Sequence, residues 1–399
     1  VIVLVGTLDT KGAEYAFVRD LIAARGEETC MVDVGVQGEP AFVPDISAAT
    51  VAAAAGTSLE VLRIAGDRGA AIDAMTRGAC AVVRQLHAQD NLDGIIGLGG
   101  GGGTTLITAA MRELPVGVPK VMVSTMASGN TAPYVDVKDI TMMYSVVDIA
   151  GLNPLSRRIL ANAAGAIVGM VTQALPTAPS KPLIAATMFG VTTPCVTAAR
   201  LRLEAAGYEV LVFHATGSGG RAMEGLIADG YFAGVLDVTT TEWADEVVGG
   251  VLSAGPTRLS AAGAKGIPQV VSVGACDMVN FGGIETVPTQ FSGRHLYKHN
   301  ATVTLMRTTA AECALIGERI AAQLNAATGP VTVLLPLGGV SAIDAPGAVF
   351  HDPAADAALF AALRAHLAPH VTVREIEAHI NDPEFAAALA DTLLAALAA

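Results

Sequence analysis

Gly99, Gly100, Gly101, Gly102 and Gly103 stand in a row, preceded by the apolar run GIIGL and followed by Thr104 and Thr105. Glycine loses more freedom on ordering than any other residue, so five in succession need something to offset that cost. A phosphate approaching the backbone at the start of a helix would do so, because free N–H groups and the helix dipole both favour an anion there. The other reading is a flexible loop closed by a threonine cap. The strand, glycine loop and helix in succession favour the anion. The run lacks the Gly-Lys-Ser/Thr of a nucleoside-triphosphatase phosphate loop. It also follows a third or fourth strand, not the first, where a dinucleotide fingerprint would lie. The pattern points to phosphate without saying which one.

Two further loops of the first half carry suitable groups. Thr7, Asp9, Thr10 and Lys11 follow the apolar run VIVLV. Lysine neutralises phosphate, and aspartate ligates Mg²⁺ or accepts from a ribose hydroxyl, which makes Asp9 the candidate metal ligand. Capping of a helix by Asp9 or Thr10 uses the same groups equally well. Ser124 ends the run KVMVS, Ser128 and Gly129 follow it, and the three suit phosphate or ribose contacts, although a plain turn explains them nearly as well.

In the second half, five polar loops follow apolar runs, more than a purely structural sheet requires, so a second ligand site is expected there. Thr192 and Thr193 precede Pro194, His214 precedes the glycine-rich stretch holding Gly219, and Glu242 and Asp277 follow later runs. Carboxylates beside an imidazole can share its proton and tune it toward neutrality. His214, Glu242 and Asp277 are therefore the candidate acid–base set. Arg294, Thr192, Thr193 and Gly219, with helix N-termini, would hold an anionic substrate. Helix capping is the competing role for all of them. His295 and His299 are four apart and could share a metal if helical; Lys298 beside them argues against it.

These loops need strands behind them. Continuous β-branched apolar runs alternate with Ala-rich helical stretches, the pattern of parallel sheets covered by helices. In the first half strands are expected at 1–5, 29–34, 94–98, 120–124 and 140–146, with helices at 14–25, 67–89, 104–112 and 154–175. Three prolines between 176 and 182 interrupt the pattern. That predicts an N-terminal nucleotide-binding lobe at 1–178 and a C-terminal lobe at 179–399. In the second lobe strands are expected at 183–187, 208–213, 234–238, 269–273, 302–306, 331–335 and 372–375. Helices are expected at 194–206, 222–229, 310–327 and 354–366. The fold class is α/β: two doubly wound, mostly parallel, Rossmann-like lobes, with ligands beyond the carboxyl ends of the strands and a cleft between the lobes.

The chain has 399 residues, 52% hydrophobic and 15% charged, which excludes intrinsic disorder. Gly, Asp, Arg or Pro interrupts every apolar run, so no spanning helix is expected, and no secretory signal is visible. With 24 Lys and Arg against 37 Asp and Glu, the net charge is −13, unsuited to nonspecific nucleic-acid binding. Five scattered cysteines without a CxxC fit a reducing, cytoplasmic setting. The apolar circumference of the helix at 386–399 suggests burial in a core or in a homodimer.

Taken together, GTLDTKGAEYAFVRDLI, IIGLGGGGGTT, VMVSTMASGNTAPYVDVKDITMMYSVVDIAGLNPLSRRIL, ATMFGVTTPCV, FHATGSGGRAME and LPLGGVSAID resemble the ATP-binding domain family of the tomato mosaic virus resistance protein and its bacterial relatives. The resemblance runs from Gly6 to about Asp344 and beyond, and the chain looks like the stand-alone bacterial form. It implies a two-lobed α/β fold that binds ATP with Mg²⁺ and dimerises. ATP binding carries over to Thr7, Asp9, Lys11, the loop from Gly99 to Thr105 and the loop from Ser124 to Gly129. The leading expectation is an ATP-dependent enzyme acting on a small anionic metabolite in the interlobe cleft. A nucleotide-gated binding or regulatory protein without turnover is the alternative. A nicotinamide-dependent oxidoreductase has no second fingerprint to support it.

Overall fold

The computed structural model describes residues 1–176 and 180–399. Its internal contacts separate two compact units, Val1–Thr177 and Ala178–Ala399. The expected boundary between 178 and 179, in the Pro-rich segment, lies outside the described residues.

Unit 1 contains strands β1 (Ile2–Gly6), β2 (Thr29–Asp33), β3 (Gly94–Gly99), β4 (Lys120–Ser124) and β5 (Thr141–Tyr144). Its helices are α1 (Leu8–Ala23), α2 (Ala48–Ala54), α3 (Leu59–Ala65), α4 (Arg68–Ala88), α5 (Gly101–Arg112), α6 (Ala132–Val135) and α7 (Pro154–Thr172). The strands are all parallel, in the order β2-β1-β3-β4-β5. Every residue of β1 is buried, because helices cover both faces. Val3 and Val5 join the core with Met75, Ala79 and Ile107, whereas Ile2 and Leu4 join Tyr15, Val18, Ala163 and Ile167. Alternation is therefore present in space but invisible as polarity in the sequence.

Unit 2 repeats the winding. Its main strands are β6 (Leu183–Met188), β7 (Glu209–His214), β8 (Gly234–Thr239) and β9 (Gln269–Gly274). A small antiparallel sheet follows, with β10 (Met278–Phe281), β11 (Leu296–Lys298) and β12 (Thr304–Arg307), before β13 (Val331–Pro336) and β14 (Thr372–Ile376) return to the main sheet. The helices are α8 (Thr193–Ala205), α9 (Ser218–Ala228), α10 (Glu242–Val248), α11 (Ala261–Lys265), α12 (Ala310–Asn325), α13 (Pro353–His366) and α14 (Pro383–Leu397). The main order is β14-β13-β9-β8-β6-β7, so the first five strands of this main sheet in chain order are wound as in unit 1. The two expected doubly wound sheets are both present.

Two expectations are corrected. The strand expected at 302–306 belongs to the β10-β12-β11 sheet, not to the parallel one. His295 and His299 flank strand β11, not a helix. Four steps of extended chain set their backbones about 13 Å apart, a spacing unlike the one helical turn that sharing a metal was expected to use. Phe385, Ala386, Leu389, Ala390 and Leu393 of α14 are buried in their own unit's core, which accounts for that helix's apolar side without a partner. Among the described residues, no single helix is long and apolar enough to cross a membrane.

A buried guanidinium organises one end of unit 2. Arg258 makes two bonds to Asp237, at 2.5 and 2.7 Å, and also bonds Glu242 at 2.7 Å and Glu224 at 3.1 Å. It is 1% exposed, so its charge can be balanced only by these neighbours. Burial pushes the Glu224 and Glu242 carboxyls up from their ordinary range, and Arg258 draws them back. An Arg258→Met variant should lose about 3–5 kcal/mol in urea denaturation near pH 8, because buried carboxylates are left uncompensated. These carboxyls would then be raised further in the folded state, which takes up protons as pH falls. The loss should accordingly shrink toward pH 5.

Candidate functional site

In unit 1 the helices after β1 and β3 pack on opposite faces of the sheet, so the chain leaves these neighbouring strands in opposite directions. Such a switch point leaves a crevice at the carboxyl ends. Tyr15, on α1, spans the divergence. Its hydroxyl donates to the Val5 carbonyl at 2.6 Å and accepts the Leu98 amide at 2.8 Å. The ring lies where a Cβ on Gly6 would fall, so Gly6 is required by this contact.

Above the crevice lies a cavity of about 480 Å³. Its polar lip comprises Thr7, Asp9, Thr10, Lys11 and the backbone of Gly100 to Gly103. Its apolar wall includes Val34, Val36, Ile72, Met75, Leu106 and Ile107. Arg68, the first residue of α4, adds a second cation.

Three helices begin around this cavity, and they differ in one respect. At α1, the Leu8 amide is taken by Asp33 Oδ1 at 3.0 Å, reaching across from β2. At α4, Asp67 accepts the Gly69 and Ala70 amides at 2.8 and 3.1 Å. At α5, the N-cap is Gly100, and no side chain caps the helix. The exposed positive end at the cavity is therefore that of α5.

The glycines of this loop have separate reasons to be glycine. A Cβ on Gly99 would lie 3.0 Å from the Gly103 backbone, so this residue lets strand and helix approach. A Cβ on Gly102 would lie 3.2 Å from Ile72 Cδ1. At Gly101 a Cβ would meet nothing within 4 Å. None of the glycines from 99 to 103 has positive φ. Neither packing nor backbone conformation explains Gly101, which faces the cavity.

Asp9 Oδ2 accepts the Gln37 and Gly38 amides at 3.0 and 3.1 Å, holding the loop after β2 against the start of α1. Asp9 Oδ1 is buried and has no partner. A Cβ on Gly35 would lie 2.7 Å from this oxygen and 3.1 Å from Asp33 Oδ1, so two carboxylates converge over that glycine. Burial pushes the Asp33 carboxyl up, opposed by its bonds to the Leu8 and Gly35 amides. Mg²⁺ commonly keeps several waters and binds through one or two carboxylates plus substrate phosphates. Asp9 fits that role, since it lines the cavity and keeps one oxygen without a partner. Among the described residues, no group of three or more His, Cys, Asp or Glu is placed to hold a metal alone.

Other expected ligands prove to be tied down. The Lys11 ammonium lines the cavity but donates to the Ile149 carbonyl. Thr7 and Thr10 bond each other at 2.7 Å. Thr104 is buried and meets the Ser124 hydroxyl at 2.6 Å, which locks β4 to α5. Thr105 donates to the Gly101 carbonyl. Ser124, Ser128 and Gly129 do not line the cavity. Sequence reasoning missed Gln37 and Arg68, because only the sheet order brings β2 and α4 to this point; no local spacing marks them.

The acid–base set of unit 2 is not assembled. His214 ends edge strand β7 while Asp277 follows β9, three strand spacings away, about 14 Å across the sheet. The His214 ring is exposed and packs edge-on to Phe189 at 6.2 Å. Glu242 holds Arg258 and accepts the Gly217 and Gly220 amides at 2.7 and 3.1 Å, so a resident carboxylate already fills the start of α9. Asp277 is fully buried and accepts from Ser341. The proposed substrate ligands are likewise engaged. Thr192 bonds Thr239 at 2.8 Å and Thr193 donates to the Phe189 carbonyl. A Cβ on Gly219 would strike the His214 carbonyl, and Arg294 grips Glu312 with two bonds.

Fold and site together define a tandem doubly wound α/β protein with an anion-ready pocket at the switch point of its first unit. The chain belongs to the UPF0261 family, described as an uncharacterised protein family: the N-terminal domain matches residues 1–176 and the C-terminal domain residues 181–397. A UPF0261 protein of Clostridium tetani is 56% identical over 98% of both chains. Another, from Rhizobium meliloti, is 53% identical over 97% of this chain and 96% of the other. The ToMV resistance protein Tm-1(GCR237) of Solanum lycopersicum is 48% identical over 82% of this chain, which corresponds to 44% of the tomato protein.

Tyr15→Phe should leave the Leu98 amide and Val5 carbonyl without their buried partner. Loss of about 1–3 kcal/mol is expected in denaturant unfolding. Unchanged stability would show that the hydroxyl does not hold the divergence.

Proposed function

We propose that unit 1 binds ATP as its Mg²⁺ complex, with the phosphates on the first-turn amides of α5. The observation that carries this reading is Gly101, whose missing side chain nothing in the protein itself explains. Lys11 and Arg68 supply positive charge beside that helix end, and the apolar wall offers a surface for a base. Asp9 would hold the metal through its free oxygen. Mg²⁺ would neutralise phosphate charge; the protein's own part is to orient the phosphates by fixed backbone dipoles. The resemblance to the tomato protein's domain supports the same ligand.

The further proposal is an ATP-dependent enzyme acting on a small anionic metabolite. A binding or regulatory role without turnover is the second reading. It is favoured by the commitment of Glu242 and Asp277 to buried bonds and by their separation from His214. An ATP-consumption screen over organic and sugar acids separates the two. A homodimer and a cytoplasmic location are proposed on the resemblance and the free cysteines respectively.

Gly101→Val puts a side chain where the protein leaves space, so folding should be unaffected while phosphate is excluded. Isothermal titration of MgATP should give at least about a tenfold weaker Kd for this variant, or about 1.4 kcal/mol. Equal affinity would remove the α5 loop from the site.

A further inference from the structure

A second pocket, in unit 2, is bordered by a segment that the buried Phe350 ring and one crowded group of charges hold down. Residues 343–352 form no regular secondary structure. They run from the loop after β13 to the start of α13. The Arg307 guanidinium, on β12, ties this segment down at three points. It donates to the Phe350 carbonyl at 2.7 Å, to the Asp352 carbonyl at 3.2 Å and to Asp344 Oδ1 at 3.4 Å. The same guanidinium bonds Asp356 of α13 at 2.7 Å. Pro346 and His351 of the segment, with the glycines after β13, face Asp356, Phe360 and Arg364 of α13 across a cavity of about 310 Å³.

The charges around Arg307 do not balance. Asp277, Asp344 and Asp356 all face it, and all are at most 7% exposed. Asp356 Oδ1 and Asp344 Oδ1 meet at the same Arg307 nitrogen, Nη2, at 2.7 and 3.4 Å, and Asp277 Oδ1 is fully buried without a partner. Three ionised carboxylates against one guanidinium would leave excess negative charge in a low-dielectric site. A shared proton converts the Asp344–Asp356 contact from repulsion to a hydrogen bond, as in other close carboxyl pairs.

We propose that residues 343–352 are a proton-controlled strap: a proton shared by Asp344 and Asp356 closes it over the pocket, and loss of that proton releases it. The groups facing Asp356 are Arg307 from β12, Asp344 and His351 from the strap, Asp277 from the loop after β9 and the Cys313 thiol from α12. Arg364 of its own helix lines the same pocket but is held by Glu375 of β14. Burial, and then the Asp344 carboxylate, push Asp356 up to about 7. Burial pushes Asp277 up to about 6, against the pull of Arg307. With a raised pKa in the closed form, the closed strap binds a proton that the open one releases. Closure is therefore fully favoured below the ordinary carboxyl range, weakens as pH rises toward neutrality, and levels off above it.

Hydrogen–deuterium exchange on the full chain, corrected for the intrinsic pH dependence of exchange, tests this. Protection of amides at 343–352 should fall about tenfold per pH unit between about pH 5 and pH 7, while amides of β9 and β13 keep theirs. An Asp356→Asn variant, which cannot ionise, should keep the strap protected throughout. Pocket-wide or unit-wide loss in parallel, no change with pH, or the same change in the variant would each overturn the proposal. Carboxyl ¹³C titration of the wild-type protein tests it without any variant. Ordinary values, below about 5 for both Asp344 and Asp356, would also overturn it.

Discussion

The divergence of β1 and β3 is the constraint on which unit 1 depends. Neighbouring parallel strands whose helices lie on opposite faces cannot keep their pairing past the last residues, so the backbone there must find other partners. Tyr15 supplies them for Val5 and Leu98, and its ring takes the volume that Gly6 leaves open. The crevice is thereby kept open without leaving buried polar groups unpaired. The carboxyl ends of three strands, and the starts of three helices, then converge on one cavity. Asp33 and Asp67 quench two of those helix starts. The third remains available, and Thr7, Asp9, Lys11 and Arg68 line the cavity with it.

Unit 2 has the same winding and reaches a different outcome. Its Gly217 and Gly220 amides, at the helix start whose Gly219 sequence analysis assigned to a substrate, receive the Glu242 carboxylate instead. Glu242 is itself held by Arg258, whose remaining donors are taken by Asp237 and Glu224. The β10-β12-β11 sheet and Phe350 contribute apolar packing beyond the end of β9. An identical topology therefore does not imply an identical site: what matters is whether a helix start is left open or filled from within. Polar residues at strand ends were a sound signal for chemistry in unit 1. In unit 2 the same signal marked a buried network.

Much of this was legible in the sequence, for identifiable reasons. Buried parallel strands announce themselves as continuous apolar runs, and β1, β3, β4, β8, β9 and β13 were placed within a residue or two. The long helices α4, α7, α12 and α13 were similarly clear. The start of α1 was placed six residues late, since its cap, Asp33, lies 25 residues downstream on another strand. The short helices α2, α3, α10 and α11 and the strands β10 and β11 were missed, because segments of three to seven residues carry too little periodicity. The glycine run, Asp9 and Lys11 were found from local spacing, and Gly100 to Gly103, Asp9 and Lys11 all line the cavity. Arg68 and Gln37 were not, because their proximity is created by strand order alone. The separation of His214 from Asp277 has the same origin: it is a distance across the sheet, which no spacing along the chain encodes.

The central claim is that the open start of α5 receives a nucleotide's phosphates. Backbone hydrogen–deuterium exchange of the full chain, with and without MgATP at a concentration that saturates calorimetric binding, addresses it directly. The account predicts strong new protection at residues 101–103, with smaller protection at 7–11 and 34–38, and none at 217–220, where Glu242 already occupies the amides. Saturable binding that leaves residues 101–103 unprotected would contradict it.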